Sequence, residues 1–276
     1  MDKIMKEIFL KRYFLPQNLV FFAIALVIAF GLKYHYSHAD ANDLVWILAP
    51  TAGLVEMVLP VDFELEKDQG FICRKHSIVI APACAGVNFM IISFCMIAFY
   101  GTHCLYNNKE KFLWFFFSLT GSYVITLVIN AFRIILSIYL YESRINIGWF
   151  TPSRIHLTAG IFIYVSCLYG AYFAVQLILR KYQLKAVKKK TEQAKTSLQP
   201  FAEYRALNIL IPMIWYWLIT LGVPFLNGGF KKSGNLFWEH AATVMVICAF
   251  ICLTFLCIRL FFMKLKVKIP IHKTIR

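Results

Sequence analysis

The chain has 276 residues, a formal net charge of +15, 60% hydrophobic residues and a mean hydropathy of +0.65. That balance excludes an ordinary soluble domain, and the charge calls for no nucleic-acid partner, because its densest cluster directly follows an apolar run and so faces anionic lipid headgroups. The expected fold is an all-α polytopic membrane protein whose immediate partners are membrane lipids.

Taken in order, the apolar runs are Leu19–Leu32, Leu44–Leu59, Cys84–Cys104, Phe112–Tyr141, Leu157–Leu179, Leu207–Leu226 and Ala241–Met263. Most reach the ~20 residues that cross ~30 Å of hydrocarbon. The first, preceded by Lys3, Lys6, Lys11 and Arg12 and followed by Ala39-Asp40-Ala41, superficially resembles a secretory signal, but in a polytopic chain it reads as an uncleaved first span. Leu44–Leu59 is short and carries Glu56. If it does not cross, the inner connecting segments hold 19 Lys and Arg and the outer ones 8; if it crosses, the tally becomes 11 inside and 16 outside. The positive-inside rule selects the first arrangement: about six transmembrane helices, both ends cytoplasmic, and Leu44–Leu59 as a re-entrant or interfacial helix.

Residues 62–82 alternate polar with apolar on both sides of Lys67-Asp68-Gln69-Gly70, which predicts a small extracytoplasmic β-hairpin. An open hairpin cannot lie in lipid, so it belongs to the surface, and its second strand leads through Pro82 into Cys84. Of the eight cysteines, Cys95, Cys167, Cys248, Cys252 and Cys257 fall inside apolar runs, where the thiol acts as a small hydrophobe. Cys73 lies close enough to Cys84 in sequence for reversible pairing. No disulfide framework or zinc spacing emerges, and no cofactor or metal is expected. The organisation expected is an N-terminal anchor helix and outer loop (1–43), a core (44–180), a basic cytoplasmic linker (181–203) and a C-terminal two-helix unit with a basic tail (204–276). Within that last unit, Asn227–Glu239 reads as a small outer loop.

Three polar residues stand out by depth. At 1.5 Å per residue, Cys84 to Cys104 covers about 30 Å inward, Phe112 to Arg133 about 32 Å outward, and His156 to Leu179 about 35 Å inward again. Cys84, Arg133 and His156 therefore return to one interface, and consecutive antiparallel helices are usually neighbours. Each residue also has a plain reading: Cys84 as packing at a crowded helix start, Arg133 as a snorkelling cation, His156 as a cap. Against these, Pro82 and Gly86 bracket Cys84 at a helix start whose free amides and dipole favour a thiolate. Arg133 sits eight residues short of Tyr141, the end of its apolar run, where charge is costly and usually functional. Asn130, three residues before it, shares its helix face.

The segments Ala81-Pro-Ala-Cys-Ala-Gly-Val-Asn-Phe89, Asn130-Ala-Phe-Arg133 and Arg154-Ile-His-Leu-Thr-Ala-Gly160 resemble the Cys, Arg and His motifs of the exosortase/archaeosortase family of membrane-embedded cysteine transpeptidases, and the first looks most like the exosortase K branch. The resemblance covers roughly residues 44–180. It implies Cys84 as nucleophile, His156 as proton-transfer partner and Arg133 as stabiliser of the thiolate or the developing oxyanion, with Asn130, Gly86, Asn88 and Glu56 in support. It further implies residence in the bacterial cytoplasmic membrane with an outward-facing site. The implied substrates are exported proteins bearing a C-terminal motif, a transmembrane helix and a basic tail, and the implied acceptor is an envelope glycan or lipid.

The residues fit that chemistry. A thiolate forms an acyl-enzyme that an acceptor other than water can resolve, and Arg133 with the amides of Ala85 and Gly86 would supply oxyanion donors. Glu56 would orient His156, pair with Arg133, or simply lie at the interface. Ser153-Arg154-Ile155-His156 has the wrong spacing for a lipid phosphatase, and neither G-x-S-x-G nor H-E-x-x-H occurs. The competing reading is a non-catalytic scaffold or transporter of envelope assembly, with Arg133 and Glu56 as an intramembrane ion pair.

Overall fold

The computed structural model describes residues 16–76, 78–105, 107–142, 152–190 and 207–268. The N-terminal lysines, residues 191–203 of the expected linker and the end of the basic tail lie outside them. The chain forms two compact units, Met1–Lys195 and Thr196–Arg276.

The first unit is built on four long helices, α1 (Pro16–His38), α3 (Val87–Cys104), α4 (Asn108–Glu142) and α5 (Pro152–Lys190), with a short α2 (Val45–Glu56). α3 is the central element. It is apolar on every side, and a helix of that kind must be covered all round. Accordingly Phe89, Ile91, Ile92, Phe94, Cys95 and Met96 are all buried. Against α1 it stacks Phe99 on Phe22, with ring centroids 4.5 Å apart, and against α4 it sets Phe94 edge-on to Phe115. Gly101 leaves room for the Trp114 indole, whose Nε1 donates to the Ile97 carbonyl at 3.0 Å. α5 closes the group, with Tyr172 against Tyr100 and Tyr164 against Phe89.

These contacts make successive helices antiparallel and define two ends. At one end, buried Lys111 donates to Asn18 at 2.6 Å, and Tyr182 donates to Glu110 at 3.1 Å. At the other, Lys33 donates to Asn88 and Asn130 to the Cys84 carbonyl, both at 2.7 Å. Hydroxyls along α4 (Ser118, Thr126, Ser137) return their protons to carbonyls four residues back, so none needs a partner in lipid.

α2 has 12 residues, about 18 Å of rise, so it falls short of a crossing, as expected for Leu44–Leu59. It packs along α4, burying Leu44, Ile47, Leu48, Thr51, Ala52 and Val55, and Tyr123 donates to the Trp46 carbonyl at 2.7 Å. Six helices in all are long and apolar enough to span a membrane.

Two expectations gain detail. The expected hairpin is present as β1 (Glu64–Glu66) and β2 (Gly70–Cys73), and β3 (Ile78–Ile80) extends it to a three-stranded antiparallel sheet in that order. The expected second strand breaks at the 3-10 turn Arg74–His76 and folds back, so Phe71 faces Leu65 on one side and Ile80 on the other. Its three consecutive basic residues cannot continue an alternating apolar face, and Arg74 instead turns toward Glu64 and Glu66. The basic segment after residue 180, expected as a disordered or loosely helical linker, is helical as far as it is described. α5 runs to Lys190 because Lys, Gln, Leu and Ala are good helix formers.

The second unit holds α6 (Asn208–Leu226) and α7 (Asn235–Lys268), with Gly228 and Gly234 in left-handed or related positive-φ conformations between them. α7 thus starts inside the stretch read as the loop 227–239. α6 widens into a π turn over Leu218–Gly222 just ahead of Pro224, which has no N–H to continue the ladder.

Candidate functional site

Cys84 does not open the α-helix itself. Pro82–Cys84 form a single 3-10 turn, closed by the Cys84 amide donating to Ala81 at 2.7 Å and the Ala85 amide donating to Pro82 at 3.0 Å. Pro82 presets the first φ of that turn, and Gly86, at φ +74°, reverses the chain into α3. The helix proper begins at Val87, and Met90 makes the first bond back to Gly86 at 3.1 Å. Consequently the Ala85 amide is spent on Pro82 and is no oxyanion donor. The amides without an intrahelical carbonyl are those ahead of Met90, starting at Gly86. Cys84 is half-buried and unpaired, and Cys73 is also free but buried in β2, so no disulfide joins them.

The turn is held from two other helices. On α4, Thr126, Asn130 and Arg133 are spaced four and three residues apart and form one stripe. On α5, His156, Gly160 and Tyr164 are spaced four apart and form another. The stripes face each other. Asn130, fully buried, donates from Nδ2 to the Cys84 carbonyl and accepts at Oδ1 from the Tyr164 hydroxyl, both at 2.7 Å. Arg133 lies over the Tyr164 ring, 5.1 Å from its centroid, and a Cβ on Gly160 would come within 3.4 Å of Arg133 Cδ. Arg133 therefore packs along α5 at Gly160.

Arg133 is half-buried, and its Nε and Nη2 are shielded with no hydrogen-bond partner among the described residues. Those two nitrogens form one edge of the guanidinium, a fork suited to an oxygen anion. His156 lies one turn beyond Gly160 on the same stripe; it is exposed and within electrostatic reach of Arg133. Cys84, Arg133 and His156 therefore occupy one end of the first unit, with Asn130 and Tyr164 linking the first two.

The supporting residues divide. Gly86 abuts Asn130 and Tyr164 directly, and Asn88 accepts from Lys33 on α1. Glu56 joins neither Arg133 nor His156; it is exposed, and its carboxylate accepts the Phe63 amide at 2.7 Å, fixing the entry to the sheet. The ion pair that a transporter reading required is thus absent among the described residues.

Tyr164, Lys33 and Tyr36 were not read from the sequence. The ammonium of Lys33 lies 5.5 Å from the Tyr36 ring centroid, and Tyr36 is within electrostatic reach of both Cys84 and Arg133. For Tyr164 the signal was present: it stands eight residues after His156 and so shares its helix stripe. α1 carries no comparable sign, since its polar residues look like ordinary end-of-span residues.

Comparisons of the chain with protein-family models, with curated proteins and with solved structures find no match.

Proposed function

We propose that this chain is a membrane-embedded cysteine transpeptidase that cleaves C-terminal sorting signals of exported proteins and transfers the new carboxyl end to an envelope acceptor. The observation that carries the reading is the placement of Cys84, Arg133 and His156 at one end of a helix group, with Asn130 joining the cysteine turn to the arginine helix. The resemblance of the three motifs to exosortases supports it from the sequence side.

In this reading His156 takes the thiol proton and Cys84 Sγ attacks the scissile carbonyl. The oxyanion that forms lies against the free Nε and Nη2 edge of Arg133 and the helix-start amides from Gly86 onward. Collapse breaks the C–N bond, and His156 returns its proton to the departing amine that carries the transmembrane helix and basic tail. The thioester left on Cys84 is then attacked by an amine or hydroxyl of a glycan or lipid, with His156 again relaying the proton. Exposure of His156 suits this double duty, because leaving amine and acceptor must both reach it. In this reading the site faces outward, the orientation favoured by the lysine and arginine tally, and the family resemblance suggests the cytoplasmic membrane.

The test is to co-express the protein with an exported protein ending in a short motif, an apolar helix and a basic tail, then analyse the Cys84 peptide. A mass increment equal to the substrate's cleaved N-terminal portion, labile to hydroxylamine, is expected when acceptor is depleted. A Cys84 peptide that stays unmodified while cleavage proceeds would rule the acyl-enzyme out.

A further inference from the structure

We propose that Tyr164 is a positioning residue that, through Asn130, sets the backbone of the Cys84 turn. The inference deepens the transpeptidase reading and, in its catalytic consequence, rests on it. The argument is one of hydrogen-bond polarity. A backbone carbonyl can only accept, so the Cys84 carbonyl obliges Asn130 to present Nδ2 toward it. The Asn130 carbonyl oxygen is then turned toward Tyr164, whose hydroxyl must donate. With Asn130 fully buried and Tyr164 only 9% exposed, no solvent replaces either partner. The relay therefore has one orientation, and the hydroxyl proton of Tyr164 fixes it.

The surroundings keep the relay stiff. Tyr164 stacks on Phe89 in the first turn of α3, with centroids 4.9 Å apart, and carries Arg133 on its ring. Gly86 is pressed so closely that an added Cβ would lie 3.2 Å from Asn130 Cγ, Thr126 Cγ2 and Tyr164 Oη alike. One tyrosine thus touches the helix that follows the nucleophile, the amide that holds the nucleophile's carbonyl, and the arginine. Because its single proton is committed to Asn130, Tyr164 is not itself the acid or base. Its role is to hold the Cys84 turn so that the free amides at the start of α3 and the Arg133 fork share one target.

Tyr164→Phe removes the donor and keeps the ring, so stacking and the arginine contact survive. In detergent-solubilised full-length protein, alkylation by iodoacetamide is followed peptide by peptide across pH, with a cysteine introduced at exposed Asp68 as internal reference. Tyr164→Phe is expected to slow Cys84 alkylation roughly tenfold at neutral pH and move its profile to higher pH, leaving the reference cysteine unchanged. Asn130→Leu should do the same, and the double variant should be no slower than either single one, because the two act as one relay. A wild-type rate and profile in Tyr164→Phe, or additive effects in the double variant, would overturn the relay. Failure of the functional reading looks different: substrate processing that persists in Cys84→Ala sinks the transpeptidase while leaving the alkylation result standing.

Discussion

Gly86 and Arg133 are the residues on which the site depends most narrowly. Gly86 combines a left-handed backbone with contact on three sides, so Gly86→Ala adds both strain of about 1 kcal/mol and a collision that the buried Asn130 can relieve only by moving. The expected outcome is a protein that inserts normally, melts lower in detergent and processes substrate at least tenfold more slowly, checked by thermal unfolding alongside a processing assay. For Arg133 the question is whether the fork or only the charge matters. Arg133→Lys keeps the charge and loses the paired Nε and Nη2 edge, so processing should fall by roughly 100-fold if that edge meets the oxyanion. A cation that merely reached for headgroups would tolerate the change. At this scale the sequence was informative about which residues share one end of the first unit and less so about their geometry. Cys84, Asn130, Arg133 and His156 were legible from depth and helix period, but the donor assigned to Ala85 failed because a local 3-10 turn, set by Pro82, uses that amide.

Among the elements, α3 shows how the fold brings the site together. It is apolar on every face, it is covered by α1, α4 and α5, and its start is the Cys84 turn. Its far end is keyed by Gly101 under the Trp114 indole. Gly101→Ala forces that indole or the helix to shift, and a loss of about 1–3 kcal/mol is expected, read as a lower detergent melting temperature with Cys84 still alkylated at its usual pH. The helices were legible because long apolar runs have few alternatives, and the short run at 44–59 was recognised by its length. The sheet was half legible. Alternation marked the strands, but the 3-10 turn at Arg74–His76 that breaks the second one, with Arg74 reaching back to Glu64 and Glu66, is not revealed by any local period. The reach of α5 to Lys190 was open in the sequence for a different reason, since a basic segment of good helix formers suits a helical linker as well as a disordered one.

For the whole molecule, the antiparallel order of α1, α3, α4 and α5 puts Cys84, Arg133 and His156 at one end and Asn18, Glu110 and Lys111 at the other. In the proposed reading, the lysine and arginine tally points the cysteine end outward. In a background lacking the native cysteines, a membrane-impermeant maleimide on intact cells should label a probe at Asp68 in the sheet turn and spare one at Lys109. The reverse pattern would turn the proposed site to the cytoplasm. What the sequence did not disclose at this scale is the contribution of α1, whose Lys33 and Tyr36 reach the site only because α1 packs against α3. The central claim is that Cys84 is the nucleophile, and the direct measurement is release of the C-terminal helix from a co-expressed sorting-signal protein by Cys84→Ala. Loss of one small half-buried side chain should leave the protein folded and inserted, which its melting profile verifies. The account predicts that release stops altogether in this folded variant; release at the wild-type rate would contradict it.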